Sequence, residues 1–397
     1  MARPLASSTV RIAIVTDYYY PQLGGITEHV HGQATNLSAR GHEVTVITGN
    51  LFRPAGVTDA DPAPVERDVP FELIRMGQAL RMYGNASQTL HTVDFRMISK
   101  MKRLFRERRF DVIHTHAPYN PGFVMLAPFA APSSAITVGT FHSVFSPGPL
   151  LDLFGRAIRT SIRRLDGKIV VSEACIGSLV PYFPYDYTVI PNGIDERHFT
   201  PDADPIEHLR DGRMNILFLG RFDPRNGLGT MIDAFVRVRR EWGPDVRLVI
   251  VGDGPLRSFY QKRVPDDMEG DVHWAGRVDW QRPRYYTSAD VHCTPCNRAS
   301  FGMVLLEAMS CGRPIVASRI SGFQLVMEHG RHGLMIHPAD DATRFAEALL
   351  YLLDRPAERA RMGREGRRTA VTQYAWPKVA AQLEDYYLEL MRGRRLR

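Results

Sequence analysis

The feature that most constrains this chain is a unit that opens its first half: an apolar strand, a glycine turn, a helix and a second strand. Val10-Arg11-Ile12-Ala13-Ile14-Val15 is a short run rich in β-branched residues, and it leads through Thr16–Leu23 to Gly24-Gly25. A helical stretch follows from Ile26 to about Ala39, Gly41 closes it, and Glu43-Val44-Thr45-Val46-Ile47 begins the next strand. The rhythm continues in Asp111–His116, Ala135–Thr140 and Lys168–Val171. Strands alternating with helices in this way predict a parallel sheet with helices on both faces.

A break comes near residue 200. Val189-Ile190-Pro191-Asn192-Gly193-Ile194-Asp195 ends a strand in turn residues, and Pro201–Pro205 reads as a connector. A fresh series then starts at Met214–Gly220 and continues in Val246–Val251, Asp290–Cys293 and Pro314–Ala317. The expected architecture is α/β, with two Rossmann-like doubly wound domains. They are placed at 1–198 and 199–375, with an amphipathic helix in 376–397 packing back on the first. Ligands of open α/β sheets bind beyond the carboxyl ends of the strands, so the expected site is a cleft faced by both sheets.

Composition narrows the class. A chain of 397 residues exceeds one small core, and 44% hydrophobic with 23% charged residues excludes wholesale disorder. A formal charge of +7 favours anionic partners. No apolar run reaches the roughly 18–20 residues of a membrane span, and Met1–Thr9 holds no apolar signal core. Four cysteines (Cys175, Cys293, Cys296, Cys311) make no disulfide framework in so long a chain, which points to a reducing, cytoplasmic setting.

The densest chemical signal runs from Ala299 through Ser300, Phe301, Gly302, Met303 and Val304 to Glu307 and Gly312. A small residue such as Gly302 at a helix start lets backbone N–H groups approach a phosphate. Glu307, in an otherwise apolar helical face, either accepts hydrogen bonds from a ribose diol or pairs with a nearby arginine. At the end of the second half's first strand, Arg221, Arg225 and Asn226 lie in a loop whose guanidinium groups suit a diphosphate; a solvated basic loop is the plainer reading. Gly24-Gly25 holds the matching place in the first half, as a phosphate cradle or a simple tight turn.

His114 and His116 share one face of a strand. No further ligand cluster accompanies them, so no metal is expected, and a histidine orienting a sugar or acceptor hydroxyl is set against a buried, satisfied one. Cys293-Thr294-Pro295-Cys296 has redox spacing without the surrounding βαβ context, which favours packing. Residues Arg96–Arg109 carry seven basic side chains and one acidic one beside Met97, Ile98, Met101, Leu104 and Phe105. Such a helix lies on an anionic membrane or packs on the sheet with its charges in water. Arg392, Arg394, Arg395 and Arg397 form a second basic cluster, read as a frayed tail. Neither cluster has the stacked aromatics of a nucleic-acid channel, so no nucleic-acid partner is expected.

In order and spacing, Gly24-Gly25 with Thr27, His116, Ile190–Asp195, Gly220-Arg221, Val251–Pro255, Ser288–Val291 and Ser300–Gly312 resemble the family 4 glycosyltransferases of GT-B fold over nearly the whole chain. The nearest likeness is to their phosphatidylinositol mannosyltransferase branch. The resemblance implies transfer of a sugar from a nucleotide diphosphate with retention of configuration, GDP-mannose favoured over a UDP-sugar, onto a lipid or glycan. It implies that Arg221 stabilises the departing diphosphate, Glu307 holds the ribose, and Met303 and Val304 offer backbone near the donor. Gly25 and Thr27 would lie by the diphosphate and acceptor, and His116 would contact the sugar. No metal or other cofactor is implied, because arginine and helix ends can neutralise the leaving group.

Two positions depart from the family pattern. Ala299 stands where the first glutamate of E-x7-E is expected, and Asn226 where a lysine usually follows. Losing such a group typically costs about 10²–10³ in rate. A weakened homologue that binds nucleotide sugar or lipid without efficient transfer is therefore the alternative reading. A nicotinamide oxidoreductase is a second alternative, opposed by the lack of G-x-G-x-x-G after the first strand.

Overall fold

The computed structural model describes residues 9–22, 24–51, 69–84, 87–94, 96–143 and 149–395. The expectation for the N-terminus before residue 9 and the basic tail residue Arg397 lie outside these. The chain divides into two compact units, Met1–Gly193 with Trp376–Arg397, and Ile194–Ala375.

The first unit runs β1 (Arg11–Val15), α1 (Gly25–Ala39), β2 (Glu43–Leu51), β3 (Glu72–Gly84), β4 (Ser87–Val93), α2 (Met97–Arg108), β5 (Val112–His116), α3 (Phe123–Ala130), β6 (Ile136–Phe141), α4 (Pro149–Arg163), β7 (Gly167–Val170), α5 (Glu173–Leu179) and β8 (Thr188–Val189). Its sheet order is β4-β3-β2-β1-β5-β6-β7-β8. All pairings are parallel except β3 with β4, an antiparallel hairpin at one edge. That hairpin departs from the all-parallel expectation. Glu72–Gly84 mixes charged, polar and apolar residues, so it shows neither the continuous apolar run of a buried strand nor a helical period.

Strands β1, β5 and β6 are fully or almost fully buried because helices cover both faces. Ile12, Ile14, Val30, Leu37 and Val138 form one core with Val379 and Leu383, and Ala13, Val15 and Ile113 form another with Met97, Met101 and Phe105. The second of these takes up the apolar face of α2. The apolar side of this amphipathic helix is core, and its outer face is mostly charge, with Ile98 at 38% exposure.

The second unit runs β9 (Met214–Leu219), α6 (Leu228–Trp242), β10 (Val246–Val251), α7 (Arg257–Gln261), β11 (Val272–Gly276), α8 (Arg282–Ser288), β12 (Val291–Thr294), α9 (Met303–Ser310), β13 (Ile315–Ser318), α10 (Ser321–Gln324), β14 (Gly333–Ile336), α11 (Ala342–Leu353) and α12 (Pro356–Thr369). Its sheet is wholly parallel, in the order β11-β10-β9-β12-β13-β14. The chain then returns to the first unit as α13 (Trp376–Arg395). Trp376 lies so close to Gly32 of α1 that a Cβ there would stand 2.1 Å from the indole, which fixes glycine at that contact.

Each sheet reverses its winding once, between β1 and β5 in the first unit and between β9 and β12 in the second. Loops leaving the carboxyl ends of such strand pairs splay apart and leave room for a ligand.

Candidate functional site

In the second unit, the loops after β9 and β12 meet at the point of reversal. The Asn297 amide donates to the Arg225 carbonyl at 2.9 Å. Gly227, at φ 76°, would place a Cβ 2.0 Å from the Pro295 carbonyl oxygen, so only glycine lets the loops close this tightly.

Three guanidinium groups gather here. Arg221, at the end of β9, has Nη2 3.0 Å from Asp223 Oδ2, and Arg225 Nε is 3.9 Å from the same oxygen. Arg225 is held below its ordinary pKa by burial and by the positive charges of Arg221 and Arg298. Its Nε has no hydrogen-bond partner. Arg221 and Arg225 approach the Asp223 carboxylate and the charge of Arg298 reaches Arg225, a gathering of guanidinium groups of the kind that gives paired bonds to a phosphate. The Asn226 amide instead donates to the Arg221 carbonyl at 2.8 Å, so it braces the loop and supplies no charge.

Beyond this cluster, Ser300, Phe301 and Gly302 lead into α9. Gly302 has φ 105°, and a Cβ would lie 2.8 Å from the Phe323 ring, so this helix start requires glycine. Met303 and Val304 are half-buried in the first turn, where backbone N–H groups lack intrahelical acceptors. The Phe301 ring is buried against Tyr374, centroids 6.0 Å apart.

Glu307, one turn further along, is 1% exposed. Its Oε1 accepts from Arg282 at 2.6 Å and its Oε2 from the Tyr286 hydroxyl at 2.9 Å. Arg282 in turn lies over the Phe199 ring, 5.2 Å from its centroid. The carboxylate therefore takes the paired alternative, because a charge on an apolar helical face needs a counterion. Burial, and then the charge of Glu307, push the Tyr286 phenol well above its usual pKa. Cys293 and Cys296 are free, buried thiols raised by desolvation, consistent with packing.

In the first unit, Gly24 caps α1 in open surroundings and Gly25 begins the helix. Thr27 is 1% exposed and its hydroxyl donates to the Gln22 carbonyl at 2.7 Å, closing the helix entry. His116 at the end of β5 is 0% exposed. It stacks on His114, centroids 4.6 Å apart, and its Nδ1 is 2.8 Å from Nε2 of His142.

His142, just past β6, is the partly exposed member of this group. His29 of α1 joins them, its ring 4.8 Å from that of His142 and 5.1 Å from Trp376. One nitrogen from each of His29, His116 and His142 lies within 4.8 Å of the others, the arrangement of a possible metal centre. Burial holds all three well below the ordinary histidine pKa, His29 at about 4, and the Asn192 side chain opposes the shift at His29. They are neutral at pH 7. His29 and His142 were missed in the sequence, although β5–β6 pairing aligns His116 with Thr140, two residues before His142. The following residue, Ala117, adopts φ 56°, a left-handed conformation costly for a residue with a Cβ and often found at functional sites.

Comparison with known proteins gives this geometry a family. Residues 23–198 match Glycosyltransferase Family 4, and residues 213–355 match Glycosyl transferases group 1. The chain is 32% identical over 383 residues to a phosphatidyl-myo-inositol mannosyltransferase of Mycolicibacterium smegmatis, covering 95% of this chain and 93% of that protein. It is 29% identical to a glycogen synthase of Mycobacterium tuberculosis, covering 97% and 96%. Among solved structures, Anabaena Alr3699/HepE in complex with UDP matches with a TM-score of 0.74 at 18% identity, covering 96% of this chain and 100% of that one. The two α/β units, the family matches and this full-length relative establish that the chain belongs to the family 4 glycosyltransferases of GT-B fold.

Proposed function

We propose that this glycosyltransferase moves mannose from GDP-mannose, or another hexose from a UDP-sugar, to a lipid or glycan acceptor with retention of configuration. The observation that carries the reading is the gathering of Arg221 and Arg225 at Asp223, with the charge of Arg298 reaching Arg225, in the loops that precede α9. A departing nucleoside diphosphate needs such fixed positive charge, and preorganised donors need no reorganisation as charge develops. Met303 and Val304 offer N–H groups to the donor, and Glu307 is assigned to the ribose by its motif position.

We assign the sugar-contacting histidine to His142, with His116 behind it as a positioning residue, because His142 alone of the pair has exposed surface. The mannosyltransferase relatives support mannose and a lipid acceptor, while a structural neighbour carries UDP. Attachment to an anionic inner membrane surface is assigned to the charged outer face of α2.

The test incubates the protein with GDP-mannose or UDP-glucose and vesicles containing phosphatidylinositol, with NMR of the product's anomeric centre. Transfer with the donor's configuration kept supports the reading, and inversion contradicts retention. Absence of transfer from every nucleotide sugar tried contradicts the enzymatic reading. The alternative, a homologue that binds without efficient turnover, is favoured by Ala299 and by the bracing role of Asn226. If an Ala299→Glu, Asn226→Lys variant gains transfer where the parent has none, that alternative holds.

A further inference from the structure

Three histidines drawn from α1, the end of β5 and the segment after β6 converge without the sequence having suggested a ligand set. One nitrogen from each of His29, His116 and His142 lies within 4.8 Å of the other two. Among the described residues, no other group of three histidine, cysteine or carboxylate side chains meets at this spacing. One ring nitrogen of the group, His29 Nδ1, is buried without a hydrogen-bond partner. A buried unpaired imidazole nitrogen costs free energy and calls for an occupant.

The surroundings pre-set the rings. His116 is stacked between His114, at 4.6 Å, and His142, at 5.1 Å between centroids. His29 is held edge-on to Trp376 at 5.1 Å. Burial keeps the imidazoles neutral, the form that offers a lone pair to a metal.

We infer that His29, His116 and His142 form a binding site for a borderline divalent cation, zinc by ligand type, with a fourth position open. Ligand nitrogens of a tetrahedral zinc site stand about 3.4 Å apart. Binding therefore opens the 2.8 Å contact between His116 and His142 and draws His29 inward, a change within reach of side-chain rotation. The site stands on this geometry whether or not the chain transfers sugar. If the transfer reading also holds, zinc withdraws His142 from the substrate and inhibits.

The test uses the full chain, stripped with a chelator and titrated with Zn²⁺ in competition with a fluorescent indicator. Co²⁺ is followed in parallel by visible absorption. The expected result is one equivalent bound, four-coordinate cobalt bands, and at least tenfold weaker binding in both His29→Ala and His142→Ala. His208→Ala removes one member of a separate histidine pair, His208 and His273 at 4.9 Å, and should leave the affinity unchanged. No stoichiometric binding, unchanged affinity in His142→Ala, or loss in His208→Ala overturns the inference. Should His29→Ala fail to fold by circular dichroism, His142→Gln on the partly exposed ring decides in the same way.

Discussion

The Glu307 carboxylate lies 2.6 Å from Nη1 of Arg282 at a position where only 1% of the glutamate is exposed. Removing one partner of such a pair leaves an uncompensated buried charge, which typically costs about 3–5 kcal/mol. Arg282→Met should therefore lower stability by about that amount in urea melts, and adding Glu307→Gln should restore much of it. Equal stability of Arg282→Met and the parent would contradict the pairing.

Asp17 supplies a pH dependence. It is buried after β1, accepts from the Thr92 amide at 2.9 Å through Oδ1, and has no hydrogen-bond partner at Oδ2. Burial raises its pKa from the ordinary 3.8 to about 7, against the smaller opposing effect of Thr92. The folded state thus holds a proton that the unfolded chain has already lost. This contribution to stability falls as pH rises from about 4 to about 7 and is level above that. Asp17→Asn should flatten that slope and add stability on the order of 4 kcal/mol at pH 8. Thermal melts across pH 4–8 check it, and an unchanged slope in the variant would refute the assignment.

The outer face of α2 makes a separate claim. Lys102, Arg103 and Arg106 are exposed while Met97, Met101 and Phe105 are core. Changing the three basic residues to alanine should weaken binding to anionic vesicles by about 1 kcal/mol per residue without lowering the melting temperature. Equal co-sedimentation with vesicles would show that the face has no membrane role.

Much of this is legible in the sequence. Strands β1 and β9 are short, mostly apolar runs because helices bury both faces, so composition alone marks them. Gly302 and Gly227 were visible as punctuation, and each proves to sit where a Cβ would collide. What local pattern could not carry was contact between distant segments. Arg282 belongs to α8 and Glu307 to α9, and only packing of those helices joins them. His29 and His142 reach His116 through sheet register and the docking of α1, neither of which leaves a periodic trace. For the same reason the burial of Phe301 and Thr27 was not legible, since a motif position does not reveal whether a side chain faces solvent or core.

The most direct test of the diphosphate site is calorimetric titration of GDP and UDP into the parent, Arg221→Ala and Arg225→Ala. Charge-assisted bonds are worth about 1.5–3 kcal/mol each, so each variant should bind the preferred diphosphate at least tenfold more weakly, with the parent's fold retained. Undiminished affinity in both variants would contradict the assignment of that cluster to the leaving group.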